Sequence, residues 1–453
     1  MKKRIQALPW QIDCLAYEHD VIPIIGGVRS GKSWIAGAKF VKRLQRYSKA
    51  TGNYIIVPTL KAARHGTLKT FKNTLIDLGL EFKQSLTDLS ISVRLGPRLW
   101  SQVIVWPESE YERLKGQELD TVWCDEAQVW NSGSDAYDFI LTRMSPTPEA
   151  IRNHPGMQPQ LILSANPPHE TSHWLYQYFV KNKVAPRLFR VGSYENYLLP
   201  NREQYLERLR TNLDPELFKI EVMGEWGDLR VGRVYTSFVQ EQNVSEAVDQ
   251  DPTLRLIWTH DFGVDPRVAL ICQVKAGQPP YQPLVVHVID EIRIRNGSTV
   301  EMIEEFVRRY PPEKAPRLFL YGDPAGQARN STTGVSDWGM IQTDERLKKY
   351  TEVKFLRRES APLIVDRVNA VNAKLRNAKG EIGVLIHPRC RYLIEDLQQT
   401  RWKEGTRQLD HGSPAKGILL THLSDALGYF VEREWPLLGS QGLRKIGKGT
   451  TVR

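Results

Sequence analysis

An apolar run leads directly into a glycine-rich loop in the stretch Val21-Ile22-Pro23-Ile24-Ile25-Gly26-Gly27-Val28-Arg29-Ser30-Gly31-Lys32-Ser33. Its last eight residues fit the pattern GxxxxGK(S/T), and a helical stretch follows them. In such a loop the backbone N–H groups wrap phosphates, the lysine reaches the β and γ oxygens, and the hydroxyl holds Mg²⁺. The stretch therefore predicts a nucleotide-binding P-loop domain. A glycine-rich helix cap is the alternative interpretation.

A second apolar strand ends in two acidic residues, in Thr121-Val122-Trp123-Cys124-Asp125-Glu126. A P-loop nucleotide site needs one carboxylate for the metal ion and another that orients the attacking water. We assign Asp125 to magnesium and Glu126 to the water. A solvated strand edge or a helix cap is the alternative interpretation of this acidic pair.

A third apolar strand ends in small polar residues, in Leu161-Ile162-Leu163-Ser164-Ala165-Asn166. Residues of this kind are suited to contact the γ-phosphate and report its loss. We therefore predict a coupling role for Ser164, Ala165 and Asn166, with a simple turn as the alternative.

Upstream of the loop, Pro9-Trp10-Gln11 is a candidate adenine site. The indole would stack on the base, and the amide of Gln11 would pair with its edge. The alternative interpretation is a tryptophan that packs against the edge of the domain.

Short β-rich runs alternate with helical stretches in the first half, and this alternation predicts a parallel α/β sheet. A charged helical segment that ends at several glycines follows, and then a second set of strands begins near Leu256. We expect an ATPase domain over residues 1–195, a helical linker over 196–245, a second α/β domain over 246–436 and a mobile basic tail over 437–453.

Three aspartates in the second half occupy the ends of predicted elements. Asp261 and Asp323 end two apolar strands, and Asp425 lies in the last predicted helix. Converging carboxylates of this kind bind two Mg²⁺ or Mn²⁺ ions in enzymes that hydrolyse phosphodiesters. Each aspartate taken alone is more typical of a turn or a cap, so the prediction rests on the distribution of all three. Asp265 is a neighbouring auxiliary candidate.

The chain has 453 residues, and its 62 Lys and Arg against 52 Asp and Glu leave a formal charge of +10 at pH 7. This surplus favours a polyanionic partner such as nucleic acid. The hydrophobic fraction of 41% excludes wholesale disorder. No stretch approaches the roughly 18 apolar residues of a membrane span, so we expect a soluble, unexported protein.

Cysteine and histidine usage gives no sign of a disulfide framework or a zinc site. The four cysteines are widely separated, which predicts a reducing compartment: Cys14, Cys124, Cys272 and Cys390. Zinc is disfavoured by the irregular spacing of His387, Cys390, His411 and His422. A nucleic-acid channel or a solvated face is equally predicted by the residues Arg357, Arg358, Arg389, Arg391, Tyr392, Arg401, Trp402 and Arg407.

With a P-loop in the first half and three aspartates in the second, the chain resembles the large terminase subunit of tailed bacteriophages, which packages DNA into a procapsid. The segments that carry this resemblance are, in order, 26–33, 121–126, 164–166, 261–263, 322–324 and 421–426. The resemblance implies an α/β fold: a P-loop ATPase domain of the additional-strand (ASCE) class, followed by a ribonuclease H-like nuclease domain.

The resemblance also implies cofactors and further site residues. ATP with Mg²⁺ is expected in the first domain and two Mg²⁺ or Mn²⁺ ions in the second. Arg29 corresponds to the arginine that the family carries within the phosphate loop. A further arginine reaches the site from a neighbouring subunit in the family, and Arg113 and Arg143 are the alternatives here.

The partners that the resemblance implies are double-stranded DNA, a small terminase subunit and the portal protein of the procapsid. It implies a homo-oligomeric ring on the portal, or a monomer in solution, in the host cytoplasm during virus assembly. Two other classes stay open from the residues: a DNA helicase or repair ATPase without nuclease activity, and a DNA-binding structural or adaptor protein.

Overall fold

The computed structural model describes residues 6–85, 89–227, 232–263, 265–315, 317–328, 334–403, 408–412 and 420–437. The chain divides into two compact units. Unit 1 comprises Met1–Glu207 and Phe218–Asp228, and unit 2 comprises Arg208–Leu217 and Leu229–Arg453. The basic tail predicted over 437–453 lies, from residue 438 onward, outside the described residues.

Unit 1 contains a sheet of eight strands flanked by helices. The strands are β1 Val21–Gly26, β2 Asn53–Val57, β3 Phe82–Ser85, β4 Ser90–Gly96, β5 Leu99–Pro107, β6 Thr121–Asp125, β7 Gln160–Ala165 and β8 Phe189–Val191. The α-helices are α1 Pro9–Ala16, α2 Lys32–Arg46, α3 Leu60–His65, α4 Thr67–Asp77, α5 Ser134–Arg143, α6 Pro148–Asn153 and α7 Trp174–Tyr176. Two more, α8 Arg202–Asn212 and α9 Pro215–Glu221, each contribute residues to both units.

The strand order of this sheet is β3-β4-β5-β2-β6-β7-β1-β8. Strand β7 lies between β1, which leads into the phosphate loop, and β6, which carries the acidic pair, and it is parallel to both. This inserted strand defines the additional-strand class of P-loop domains and confirms that prediction. The sheet is not parallel throughout, because a two-residue connection joins β4 to β5 and forces an antiparallel pair.

Both faces of the sheet are buried, which explains the continuous apolar runs of the central strands. Ile22 and Ile24 of β1 pack into the core on one face, and Ile25 packs into the core on the other. Because β1, β7 and β6 are parallel neighbours, their carboxyl ends lie at the same edge of the sheet, and the polar residues that follow them lie there too.

Unit 2 contains a sheet of six strands. The strands are β9 Leu256–Asp261, β10 Arg267–Ala276, β11 Tyr281–Ile294, β12 Arg317–Gly322, β13 Glu352–Phe355 and β14 Ile382–Ile386. The helices are α10 Gln240–Asn243, α11 Thr299–Arg309, α12 Asp337–Thr343, α13 Ile364–Leu375, α14 Arg391–Gln399 and α15 His422–Glu434.

The strand order of the second sheet is β13-β12-β9-β10-β11-β14. Strands β9, β10 and β11 are antiparallel neighbours, and β12 is parallel to β9 and to β13. This mixed topology is that of the ribonuclease H-like fold, with β14 added in parallel to β11. Ile257 packs into a core with α13 and α15, and Trp258 packs into a core with α11 on the opposite face.

The strands expected from apolar runs are all present, with ends that differ by a few residues. Helix α13 begins at Ile364, and Leu363 at its N-cap is extended. The segment 196–245, predicted as a linker, contains α8 and α9 and is divided between the two units. Among the described helices, none has the length and apolar character needed to cross a membrane.

Candidate functional site

The phosphate loop joins β1 to α2 in unit 1. Gly31 precedes the helix with a φ of +94°, a left-handed conformation that glycine adopts without steric cost. Lys32 is buried, and its Nζ donates to the carbonyl of Gly27 at 3.3 Å. Lys32, which we predict to bind phosphate, therefore contacts the backbone of its own loop.

Asp125 is the centre of a hydrogen-bonded cluster at the end of β6. Its Oδ2 accepts from Thr67 Oγ1 at 2.6 Å, and its Oδ1 accepts from the hydroxyls of Ser164 and, at 3.5 Å, Ser33. Three of the predicted segments therefore converge on one carboxylate. Thr67, the first residue of α4, was missed because it belongs to no motif and reaches Asp125 only through folding.

Burial and the adjacent charge of Glu126 raise the pKa of Asp125 to about 6, although the hydrogen bonds from the hydroxyls of Ser164 and Thr67 act in the opposite direction. Burial lowers the pKa of Lys32, against the opposing charges of Glu126, Asp125 and Glu221. A buried carboxylate with serine and threonine hydroxyls is an oxygen donor set that suits Mg²⁺, so these residues fit that ion.

Glu126 lies in a left-handed conformation with φ of 52° directly after β6. A residue other than glycine rarely adopts this conformation, and such positions cluster at functional sites. Its Oε2 accepts from Gln128 Nε2 at 2.6 Å. Gln128 in turn accepts the backbone N–H of Asn166 at 3.1 Å, so the acidic pair is connected to the coupling segment.

The predicted coupling segment contacts a carboxylate that sequence reasoning missed. Asn166 Nδ2 donates to Glu221 Oε2 at 3.1 Å, and His169 Nε2 lies 2.7 Å from the other oxygen of Glu221. The carbonyl of Glu221 accepts the N–H of Val28 in the phosphate loop at 2.7 Å. Glu221 therefore contacts both the coupling segment and the loop. The middle residue of the coupling segment, Ala165, is buried at the end of β7.

Gln11 is buried and spans the start of α1 and the phosphate loop. Its Oε1 accepts from the N–H of Leu8 at 2.9 Å, and its Nε2 donates to the carbonyl of Gly31 at 3.3 Å. Trp10 packs against the hydrophobic core beside α2. These contacts agree with the packing interpretation of the tryptophan and place the amide next to the loop.

The three arginines considered for the ATPase site differ in exposure. Arg29 is exposed within the loop, with φ of 57°, and its carbonyl accepts from Asn196 at 2.7 Å. The side chain of Arg113 is 73% exposed and pairs with Glu110 at 2.8 Å. The Nε of Arg143 is buried, so Arg113 is the more accessible of the two trans-acting candidates.

The three predicted aspartates of unit 2 are near one another. The charge of Asp261 acts on Asp323, and the charges of both act on Asp425. Asp261 Oδ2 lies 2.9 Å from His422 Nδ1. Asp425 Oδ1 lies 3.1 Å from Nη2 of Arg367. We refer to Asp261, Asp323 and Asp425 as the aspartate triad.

Burial raises the pKa values of two members of the triad. The pKa of Asp425 is raised to about 7 by burial and by the neighbouring aspartates, although Arg367 opposes this shift. Burial and the charge of Asp261 raise the pKa of Asp323. The hydrogen bond to Asp261 raises the pKa of His422. Like charges held together in this way favour the binding of a cation.

Carboxylate oxygens at the end of β9, at the end of β12 and on α15 are the ligands that Mg²⁺ and Mn²⁺ prefer. Within the described ranges, however, no group of three or more His, Cys, Asp and Glu side chains is arranged as a ready metal site. His422 pairs with Asp261, and Arg367 pairs with Asp425. Three neighbouring carboxylates are nonetheless a donor set whose chemistry suits a divalent cation.

The auxiliary acidic candidate and the residues considered as zinc ligands make contacts of their own, apart from the aspartate triad. Asp265 accepts from Arg295 Nε at 2.9 Å and from the N–H of Asn296, away from the triad contacts. His411 Nδ1 lies 2.8 Å from Thr421 Oγ1. Cys390 is buried and donates to the carbonyl of Val288. In the arginine-rich group, Arg358 pairs with Glu432, and Arg407 lies outside the described residues.

The fold resembles known structures over nearly its whole length. The large terminase of a thermophilic bacteriophage matches with a TM-score of 0.57 and 16% identity, covering 94% of this chain and 99% of that chain. The same terminase in complex with ADP gives 0.56 and 17%, covering 94% and 98%. Its complex with ATP-gamma-S gives 0.55 and 16%, with the same coverage. No curated protein sequence matches this chain.

The fold and the two clusters define a P-loop ATPase-type unit of the additional-strand class joined to a ribonuclease H-like unit. Residues 18–225 match the family model of the phage terminase large subunit. This match covers the first part of the chain and agrees with the resemblance stated from the sequence.

Proposed function

We propose that unit 1 binds ATP with Mg²⁺ and hydrolyses it. The observation that carries this proposal is the convergence of Ser33, Thr67 and Ser164 on the buried carboxylate of Asp125. The large terminase of the thermophilic bacteriophage has been solved with ADP and with ATP-gamma-S, and the shared fold supports the same ligand here.

In this proposal each residue has a separate task. The backbone of Gly26, Gly27, Val28, Arg29, Ser30 and Gly31 cradles the phosphates, and Lys32 neutralises their charge. Ser33 and Asp125 hold Mg²⁺, which when bound neutralises charge that develops on the phosphate oxygens. Glu126 orients the attacking water, and Arg29 contacts the γ-phosphate region.

Unit 2 is proposed to be a metal-dependent DNA endonuclease. Asp261, Asp323 and Asp425 would hold two Mg²⁺ or Mn²⁺ ions, which when bound activate water and stabilise the leaving oxygen. The supporting observation is the aspartate triad at neighbouring strand ends of a ribonuclease H-like sheet. Burial, together with the charges of neighbouring aspartates, raises the pKa values of Asp323 and Asp425, and bound cations would stabilise their ionised forms.

The chain as a whole is proposed to be the large subunit of a viral DNA-packaging motor. It would use ATP hydrolysis to translocate double-stranded DNA into a procapsid and would cut the concatemer. The formal charge of +10 supports a polyanionic substrate. A small terminase subunit, the portal protein, a ring of identical subunits and the host cytoplasm complete this proposal.

The helicase or repair ATPase without nuclease activity is the alternative. It would account for unit 1, but it offers no role for a partly buried aspartate triad in unit 2. An adaptor protein would likewise not need the cluster around Asp125. The triad therefore favours the packaging proposal.

One preparation tests the two activities together. We expect DNA-stimulated ATP hydrolysis and Mn²⁺-dependent cleavage of double-stranded DNA by the same sample, separable by Asp125→Asn and Asp323→Asn. Cleavage without ATPase activity would contradict the assignment of unit 1. ATPase activity with no cleavage under any divalent metal would favour the helicase alternative.

A further inference from the structure

Arg367 is a buried cation beside Asp425 of the aspartate triad. It lies on α13, and only 6% of its surface is exposed. A guanidinium keeps its charge in proteins, and burying an unpaired charge is costly. An arginine in this position therefore needs a compensating partner, and the neighbouring carboxylates provide it.

Arg367 makes an ion pair and a cation–π contact, and two of its N–H groups make no hydrogen bond to the described residues. Nη2 pairs with Asp425 Oδ1 at 3.1 Å, and the guanidinium carbon lies 4.3 Å from the ring centre of Tyr429. Its Nε and Nη1 are buried, and neither has a hydrogen-bond partner in the part of the chain that the structure describes. Two N–H groups without partners show that hydrogen bonding alone does not account for this placement.

Helix α15 accommodates the arginine closely. A Cβ atom at Gly428 would lie 3.4 Å from Cβ and 3.7 Å from Cδ of Arg367. The aliphatic part of Arg367 therefore packs against α15 at Gly428, on the same helix that carries Asp425. The arginine and the carboxylate are held as one packed pair.

Two of the three carboxylates of the triad are paired with basic side chains of the protein itself. His422 contacts Asp261, and Arg367 contacts Asp425. Asp323 instead accepts the backbone N–H of Ala325 at 2.8 Å and a hydrogen bond from the hydroxyl of Tyr429. The protein therefore places its own positive charge beside the carboxylates that are proposed to bind metal.

We infer that Arg367 is a resident counter-cation that holds Asp425 in place before metal binds, and that divalent ions compete with it for this carboxylate. The inference rests on the proposed nuclease function. Arg367 is a positioning residue, because it contacts Asp425 and not the reacting atoms. Metal loading would then weaken the Arg367–Asp425 pair rather than fill an open site.

Direct Mn²⁺ binding to the full chain, measured by calorimetry in buffer free of Mg²⁺ and nucleotide, tests this inference. Removing a positive charge next to a ligand strengthens cation binding, so Arg367→Gln should bind Mn²⁺ at least about threefold more tightly than the wild type. Arg367→Lys keeps the charge and should stay close to the wild type. Arg309→Gln, which removes an arginine paired with Asp290, is the matched control and should leave Mn²⁺ affinity unchanged.

Thermal unfolding gives a second readout. Without metal, Arg367→Gln should melt below the wild type, and saturating Mn²⁺ should raise its melting temperature by more than it raises that of the wild type. If Arg367→Gln is unfolded without metal, recovery of folding in Mn²⁺ supports the inference. Failure of both Arg367→Gln and Arg367→Met to recover overturns it.

The outcomes separate this inference from the proposed function. Wild-type binding of Mn²⁺ that Asp425→Asn abolishes, together with equal or weaker binding by folded Arg367→Gln, overturns the counter-cation role alone. If the wild type and Asp425→Asn give identical Mn²⁺ titrations, unit 2 does not bind the ion. That result overturns both the counter-cation role and the proposed nuclease function.

Discussion

The Nδ1 atom of His422 lies 2.9 Å from Oδ2 of Asp261, although 161 residues separate the two in the chain. His422 begins α15, and Asp261 ends β9. The contact therefore joins the helix that carries Asp425 to the strand that carries Asp261. It fixes two of the three aspartates relative to each other and places a titratable ring beside them.

The aspartate triad is the basis of the first prediction. Asp261→Asn, Asp323→Asn and Asp425→Asn should each lower Mn²⁺-dependent DNA cleavage by about a hundredfold or more, because each removes charge that is proposed to bind the metal ions. ATP turnover should stay near the wild-type rate in all three. Cleavage of plasmid DNA and phosphate release on the same samples check this.

Asp265→Asn is the matched control for the triad, since Asp265 pairs with Arg295. It should cut DNA at close to the wild-type rate. If it loses cleavage while one triad variant keeps it, the assignment is wrong at that position. Melting temperatures near that of the wild type would show that the losses do not come from unfolding.

Lys32→Ala should abolish ATP hydrolysis and leave cleavage of free DNA largely intact. Its ammonium group is buried in the phosphate loop of unit 1, and the aspartate triad belongs to unit 2. Lys42→Ala is the control, because Lys42 lies on the same helix and pairs with Glu18. Equal loss of both activities in Lys32→Ala would contradict the separation of the two sites.

Glu126→Gln should bind ATP but hydrolyse it about a hundredfold more slowly, since the amide keeps the shape of the side chain and loses its basicity. Its contact with Gln128 should survive. Titration with a fluorescent ATP analogue and steady-state phosphate release measure the two quantities. Near-normal turnover would transfer the water-orienting role to another residue, whereas Glu118→Gln, at an exposed position, should change neither quantity.

Asn166 and Glu221 should act as a unit in coupling. Because Asn166 donates to Glu221, Asn166→Ala and Glu221→Ala should each reduce the stimulation of ATPase activity by DNA more than the basal rate. The double variant should lose little beyond either single one, as expected of residues that interact directly. Fully additive losses would show that the two side chains work independently.

The pH dependence of stability should report on Asp396. This buried carboxylate accepts the N–H groups of Leu423 and Ser424 at the start of α15, and burial raises its pKa to about 7. Because the folded pKa exceeds the usual value of about 3.9, its contribution to stability is complete below that usual value and is lost as pH rises through about 7.

The melting temperature of the wild type relative to Asp396→Asn should therefore fall as the pH is raised from about 5 to about 7 and then level off. Asn cannot titrate, so it removes this dependence and keeps an acceptor for the helix N–H groups. Thermal unfolding of both proteins across this range checks the prediction. A wild-type melting temperature that rises relative to the variant with pH would contradict the direction of the pKa shift.

Much of the fold could be predicted from local sequence. The apolar runs that end at Gly26, Asp125 and Ala165 form strands because both faces of the sheet are buried. The antiparallel hairpin of β4 and β5 was not foreseen, since its half-buried strands carry a weaker apolar pattern. The partition of residues 196–245 between two units also has no local signal.

The amino-acid sequence by itself determined the phosphate loop, the acidic pair after β6 and the placement of three aspartates at the ends of elements. These features depend on neighbours in the chain, through glycine conformations, apolar runs and caps. Only the tertiary structure decided that β7 lies between β1 and β6, that Thr67 and Ser164 share Asp125, and that Arg367 pairs with Asp425. Strand order and helix packing bring such distant residues together, and periodicity along the chain carries no information about which distant residues will meet.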